Sequence, residues 1–159
     1  MQNVNIAPMN DADLAEVSKL LRSCFNWLAD REGFTPVQRA FLTGERSSVE
    51  TVRGESKSRP HLVARDEGGT LLGMAAVCGN ELARLYVDPR FHGQRVGSKL
   101  FAAAEGMIRE AGFSEMRVGA LVESAAAFYR ARGMHEAGRE IYEPEIFLGR
   151  EVVLLAKAL

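Results

Sequence analysis

The sequence predicts an α+β fold in a single domain over residues 1–159: a mixed, mostly antiparallel sheet flanked by helices, with one parallel strand-helix-strand crossover. Three observations carry this. The chain has 159 residues, 47% of them apolar, which matches one domain with its own core. Apolar residues recur in steps of three and four over residues 14–28 and 96–111, but alternate or run together over residues 62–87. Between residues 81 and 122 a strand, a long helix and a strand succeed one another, with the length a right-handed parallel crossover needs.

Residues 3–8, with Val4 and Ile6 in alternation, suit an opening strand. Asn10 and Asp11 offer N-caps to a helix bearing Leu14, Val17, Leu21, Cys24, Phe25 and Leu28 on one face. Thr35 followed by Pro36 reads as an N-cap with proline at the first helical position, ahead of Val37, Ala40, Phe41 and Leu42. Residues 44–59 are polar, with Val49 and Val52 their only large apolar side chains, and read as a weak helix or a mobile loop. Residues 62–65 and 71–78 form a hairpin around the turn at 66–69, and a third run, 81–87, is stopped by Asp88-Pro89. The strongest helix spans residues 94–111 and closes with Gly112 at C′ and Phe113 at C″. A strand at 116–122, a short helix at 124–132 closed by Gly133, and extended runs at 134–142 and 151–155 complete the order.

Twenty basic side chains against 21 acidic ones give a net charge of −1, which disfavours a chain-wide claim on nucleic acid or anionic lipid. Cys24 and Cys78 are too few for a disulfide framework or a four-ligand zinc site, and both read as reduced, buried, small apolar residues. No apolar run approaches the ~18 residues of a membrane span, and the start lacks the basic and apolar regions of a leader, so a reduced cytoplasm is expected. His61, His92 and His135 are scattered without metal-ligand spacing, and no metal is expected.

Within the crossover, residues 81–112 run from strand through a Gly-containing turn into a helix. Gly93 lets the turn approach a ligand closely, and the N–H groups from Gly93 to Ser98 leave the helix start without intrahelical acceptors. With Arg95 and Lys99 nearby, the ligand this favours is a phosphate or pyrophosphate; the helix dipole adds ~0.3–1 kcal/mol. On spacing alone the same glycines equally suit a tight turn and a close helix–strand contact. The run lacks the Gly-Lys-Ser/Thr of a P-loop.

Two blocks narrow the choice. LYVDPRFHGQRVGSKL, followed by AAAFYRARGM, closely resembles the two signature blocks of the GNAT family of N-acetyltransferases, and the order of elements matches over almost the whole chain. The resemblance implies that the turn at His92, Gly93, Gln94, Arg95, Val96, Gly97 and Ser98 holds the pyrophosphate of acetyl-CoA, the cosubstrate. It implies that the strand end at Leu85, Tyr86 and Val87 pairs with the pantetheine arm. Two positions depart from the family pattern: His92 stands for Gln or Arg, and Arg95 for its first Gly. Arg95 cannot take a positive φ cheaply, but as a helical first-turn residue it is not expected to need one. Tyr129 matches the family tyrosine that donates a proton to the departing thiolate, the alternative being a core aromatic, as Phe128 is read. Where the family often has Asn, this chain has Val122 and Ser124.

The implied activity is direct transfer of acetyl to a primary amine of a small molecule or peptide in a ternary complex; the alternative is a CoA-binding sensor or interaction module. An alkyl amine with a pKa of about 10.4 must lose a proton at a cost of roughly 4.6 kcal/mol at pH 7, against about 2 kcal/mol for the thiolate, so a base matters more than an acid. Glu81 is the expected base, because alternation puts it on the strand face of Ala83 and Leu85 and some family members carry a glutamate there. An exposed glutamate at a strand start is the competing reading. In this fold class the acceptor pocket lies between the first two helices and the last hairpin, where Phe25, Trp27, Phe34 and Phe41 meet Tyr142, Phe147, Glu140, Glu143 and Glu145. Aromatic and acidic residues together suit a cationic amine, although solvated glutamates and core aromatics explain the composition equally well. Monomer and homodimer remain open.

Overall fold

A computed structural model describes residues 3–159; Met1 and Gln2, the first residues of the stretch read as lacking a leader, lie outside it. The strands are β1 (Asn5–Pro8), β2 (His61–Arg65), β3 (Leu71–Cys78), β4 (Glu81–Val87), β5 (Glu115–Ala120), β6 (His135–Ile141) and β7 (Glu151–Ala158). They form one seven-stranded sheet in the order β1-β2-β3-β4-β5-β7-β6. Every neighbouring pair is antiparallel except β4 with β5. The helices are α1 (Leu14–Glu32), α2 (Pro36–Thr43), α3 (Val49–Ser56), α4 (Val96–Glu110), the crossover between the parallel strands, and α5 (Glu123–Arg130). The α+β class and the single crossover are as the sequence predicts.

Strand alternation sends side chains into two cores, one on each face of the sheet. On β2, Leu62 and Ala64 join Leu72, Leu82, Leu100, Phe101, Ile108 and Met116 under α4 and α5. Val63, between them, faces the other way and packs with Leu14, Leu21, Phe25, Leu42, Val52 and Met74 under α1, α2 and α3.

The helix boundaries follow from capping. Thr35 and Gln38 form a reciprocal capping box with Pro36 at the first helical position. Helix α4 ends in a Schellman arrangement: Gly112 N–H donates to the Arg109 carbonyl at 3.0 Å and Phe113 N–H to that of Ile108 at 3.4 Å, with Gly112 at φ 95°. Residues 44–59, for which a mobile loop was one expectation, are instead a turn and the helix α3. The Ser48 hydroxyl accepts from Thr51 N–H at 3.1 Å, Ser18 Oγ donates to the Ser47 carbonyl at 2.6 Å, and Val52 is fully buried against α1. This segment is held by side-chain bonds to backbone and one apolar anchor, which hydrophobic periodicity does not register. Cys78 is exposed, against expectation, because it ends β3 at the Gly79 turn; Cys24 is buried.

Two irregularities of β4 set up the site. On β3 the adjacent residues Ala76 and Val77 pair with Arg84 and Leu82, so Ala83 is an extra residue, a β-bulge. The bulge inverts the alternation: Leu82, Leu85 and Val87 all face the α4 side, while Arg84 lies buried on the α1 side beside Tyr86. Second, β4 pairs with β5 only at Glu81–Arg117 and Leu82–Val118. Beyond Leu82 the two parallel strands separate, and the β4 backbone on that side is left without a strand partner.

Candidate active site

The gap between β4 and β5 opens into a cavity of about 530 Å³. Leu85, Tyr86 and Val87 form one wall, and His92, Gly93, Arg95, Val96, Gly97 and Ser98 bound one end. Cys24, Trp27 and Leu28 of α1 face Phe128, Tyr129 and Arg132 of the α5 region across it. Ten of the twelve site residues predicted from sequence are thus brought together. Gln94, exposed within the turn, and Glu81 are not among the lining residues.

The turn is more strained than expected. Arg95 is the N-cap of α4 and sits at φ 66°, ψ 14°, the left-handed conformation the sequence reading spared it by starting the helix at residue 94. The left-handed conformation costs a non-glycine residue ~1–2 kcal/mol. The first intrahelical bond recorded runs from Lys99 N–H to the Arg95 carbonyl at 3.1 Å, and no side chain caps the amides before it. Those N–H groups, at the positive end of a fifteen-residue helix, are donors for an anion. Gly97 packs closely: a Cβ there would stand 3.2 Å from the Phe128 ring, which would have to give by a few tenths of an ångström, and 3.6 Å from Val87 Cγ2.

Arg132 adds side-chain charge at this end, and sequence reasoning missed it. Its Nη1 donates to the Phe128 carbonyl at 2.8 Å, its Nη2 donates to Ser98 Oγ, and its guanidinium lies 3.5 Å over the Phe128 ring. Nε is buried without a partner, and burial pulls its pKa down from the usual guanidinium value. The available signal was its place three residues after Tyr129, one helical turn along the same face.

Tyr129 is buried between Phe128 and Phe101, at ring distances of 5.3 and 6.2 Å, and its hydroxyl makes no hydrogen bond within the described residues. Burial, then the nearby Tyr86, push the phenol well above its ordinary pKa, partly offset by Arg132. It is a neutral donor at physiological pH. On the opposite wall, the Val87 carbonyl accepts from Cys24 Sγ at 3.3 Å and lies 3.1 Å from His92 Nε2, while the His92 ring meets Trp27 edge-on at 4.8 Å. Burial and the Asp88 carboxylate raise the Cys24 thiol far above its usual range, which removes the thiolate a nucleophile would need.

Glu81 requires a correction of geometry. It is exposed at the start of β4, and because the bulge at Ala83 intervenes, it does not share the face of Leu85. His61 is buried with Nδ1 2.7 Å from the Arg59 carbonyl, and His135 is exposed at the start of β6. Among the described residues no group of three or more His, Cys, Asp or Glu is placed to hold a metal ion, and no helix is long and apolar enough to cross a membrane. The acceptor-side aromatics pack together, Phe147 against Phe34, Phe41 and Tyr142 at 5.6, 6.2 and 4.9 Å. Glu140, Glu143 and Glu145 are exposed and do not line the cavity.

No curated protein matches this chain in sequence. In structure, the chain superposes over its whole length on a protein from Rhodopseudomonas palustris described as a GCN5-related N-acetyltransferase, at a TM-score of 0.87, 21% identity and 98% coverage of that chain. It matches the PaiA N-acetyltransferase of Thermoplasma acidophilum, solved with coenzyme A, at a TM-score of 0.79 and 20% identity over 99% of both chains. The ribosomal-protein-S18-alanine N-acetyltransferase of Escherichia coli matches at 0.72 and 16% identity over 98% of this chain and 94% of the other. These similarities show the fold. The model of the acetyltransferase (GNAT) domain matches residues 30–148, three quarters of the chain, including the bulged strand, the turn ahead of α4 and Tyr129: the protein belongs to the GNAT acetyltransferase family.

Proposed function

We propose that the protein transfers an acetyl group from acetyl-CoA to a primary amine by direct attack in a ternary complex. The observation that carries this is a single cavity bounded by an unpaired strand edge, a helix start with free amides, and a tyrosine hydroxyl without a protein partner. These fit the three parts of the cosubstrate in order. The β4 backbone at Leu85 and Val87 suits the amides of a pantetheine arm, and the N–H groups of Val96, Gly97 and Ser98, with Arg132, suit a pyrophosphate. Tyr129 stands toward the sulfur. Bound there, acetyl-CoA supplies an activated acyl thioester; the chain binds and orients it.

Tyr129 hydrogen-bonds the departing thiolate. An ordinary phenol is already about 1.5 units less acidic than a thiol, so donation of a hydrogen bond, rather than complete proton transfer, is the larger contribution. The amine nitrogen takes the acyl group, the carbon–sulfur bond breaks, and the amine proton leaves to solvent. Cys24, held protonated against Val87, is unsuited to an acyl-enzyme. Steady-state release of CoA over a panel of primary amines, with calorimetry for acetyl-CoA, tests this reading: amine-dependent release is expected, and absence of CoA binding overturns it.

A CoA-binding sensor without transferase activity is favoured by one observation, that among the described residues no carboxylate lines the cavity. In that case acetyl-CoA binds but no amine turns over. If transfer occurs, the missing carboxylate requires the amine to arrive as its free base. The rate then rises tenfold per pH unit toward the amine pKa, and a weakly basic, aniline-like acceptor reacts fastest relative to its nucleophilicity.

A further inference from the structure

On the α1 side of the sheet, next to Tyr86, three arginines share one carboxylate. Glu55 Oε1 accepts from Arg84 Nε at 3.0 Å and Oε2 from Arg46 Nη1 at 3.0 Å, with Arg59 Nη1 at 3.8 Å from Oε2. Arg84 also donates from Nη2 to the Arg46 carbonyl at 2.8 Å, leaving Nη1 buried with no partner on a side chain only 2% exposed. His61 stands in the same row of the sheet, separated from Arg84 by Ala76. Burial lowers its pKa, so it adds no further positive charge. Three guanidinium charges against one carboxylate leave the cluster about two charges positive.

This excess charge lies beside the reaction cavity. Tyr86 lines the cavity and is two residues beyond Arg84 on the same strand face. Tyr86 and Tyr142 both pack against the core on this side of the sheet. The cluster is reachable at one edge, where the Arg46 side chain is 31% exposed and Tyr142 is half-buried. A buried charge without a full set of partners is costly, and a planar guanidinium matches a carboxylate fork.

Taking acetyl transfer to an amine as the reaction, we infer that the acceptor carries a carboxylate, seated by Arg46 and Arg84 with the hydroxyls of Tyr86 and Tyr142. The acceptor class is therefore an amino acid or a similar amino carboxylate. This differs from the cationic acceptor that Glu140, Glu143 and Glu145 suggest in the sequence; those side chains are exposed.

The test uses the full chain saturated with CoA. N-acetyl amino acids, each paired with its own primary amide, are titrated calorimetrically, and the corresponding amines are compared as acceptors. Carboxylates binding about tenfold more tightly than their amides, with the same preference in kcat/KM, is the expected result. Arg46→Gln, which keeps the backbone carbonyl that Arg84 uses, abolishes the preference and Arg46→Lys restores part of it; CoA affinity in each variant reports folding. Equal binding of acids and amides by the wild type, or an undiminished preference in Arg46→Gln, overturns the inference. Carboxylate binding without turnover of any amine defeats the transfer reading and leaves the anion site standing. Turnover without carboxylate preference does the opposite.

Discussion

The two charged regions beside the cavity are built in different ways. At the Gly93–Ser98 end the donors are backbone amides of one continuous turn, with Arg132 reaching in from the α5 region. Beyond Tyr86 the donors are side chains, Arg46 and Arg84, brought together by a tertiary ion pair to Glu55. A turn of amides holds its charge by covalent geometry and survives most substitutions of its side chains. A cluster of buried arginines is held by one carboxylate and depends on it.

The largest expected effect tests that dependence. Glu55→Gln leaves Arg84 buried without an ionic partner and lowers stability by about 3 kcal/mol, measured by denaturant unfolding; a loss below about 1 kcal/mol means the cluster is not held by Glu55. Next, Tyr129→Phe removes the donor to the leaving sulfur and lowers kcat about 10- to 100-fold while CoA affinity changes less than threefold. An unchanged kcat removes Tyr129 from the chemistry. At the turn, Arg132→Met keeps the bulk over Phe128 but deletes the charge, and should weaken CoA about five- to tenfold, less at high salt. Salt-independent binding in both proteins assigns the pyrophosphate to the amides alone. The smallest effect is Arg95→Gly, which relieves a positive φ and should raise stability by about 0.5–1 kcal/mol. A fall in thermal midpoint means the Arg95 side chain contributes more than its backbone strain costs.

What the sequence showed and concealed divides along the same line. The turn, its helix and the Thr35 cap were legible because each is a property of adjacent residues: an N-cap, a run of apolar steps, a glycine at C′. Arg95 was misjudged by a shift of two residues in the helix start, enough to change its required φ from negative to positive. Glu81 was misplaced because alternation assumes an unbroken ladder, and the bulge at Ala83 inverts the faces. Helix α3 was one of two readings of residues 44–59, a weak helix or a mobile loop, whereas the contacts of the Arg46–Glu55–Arg84 cluster were hidden for a deeper reason. Their residues are 38 positions apart between Arg46 and Arg84, and charged side chains in a polar stretch carry no pattern that distinguishes a solvated face from a buried network. The glutamates near the last hairpin were visible as composition and turned out to be exposed.

The two-residue contact between β4 and β5 has a mechanical consequence. Joined at its middle by so short a ladder, the seven-stranded sheet has two plates, β1–β4 and β5–β7, with a seam between them that the shared core under α4 bridges. A pantetheine arm lying in that seam would act as a temporary stave, taking hydrogen bonds that the protein itself leaves open and bearing against both plates. Cosubstrate and architecture then share one load path. At a hundred times its dissociation constant such a ligand adds about 2.7 kcal/mol to the folded state, and amide exchange should slow on either side of the seam, far from any atom the ligand touches. Each departure of product would loosen the sheet, so catalytic turnover and mechanical softening would keep the same rhythm.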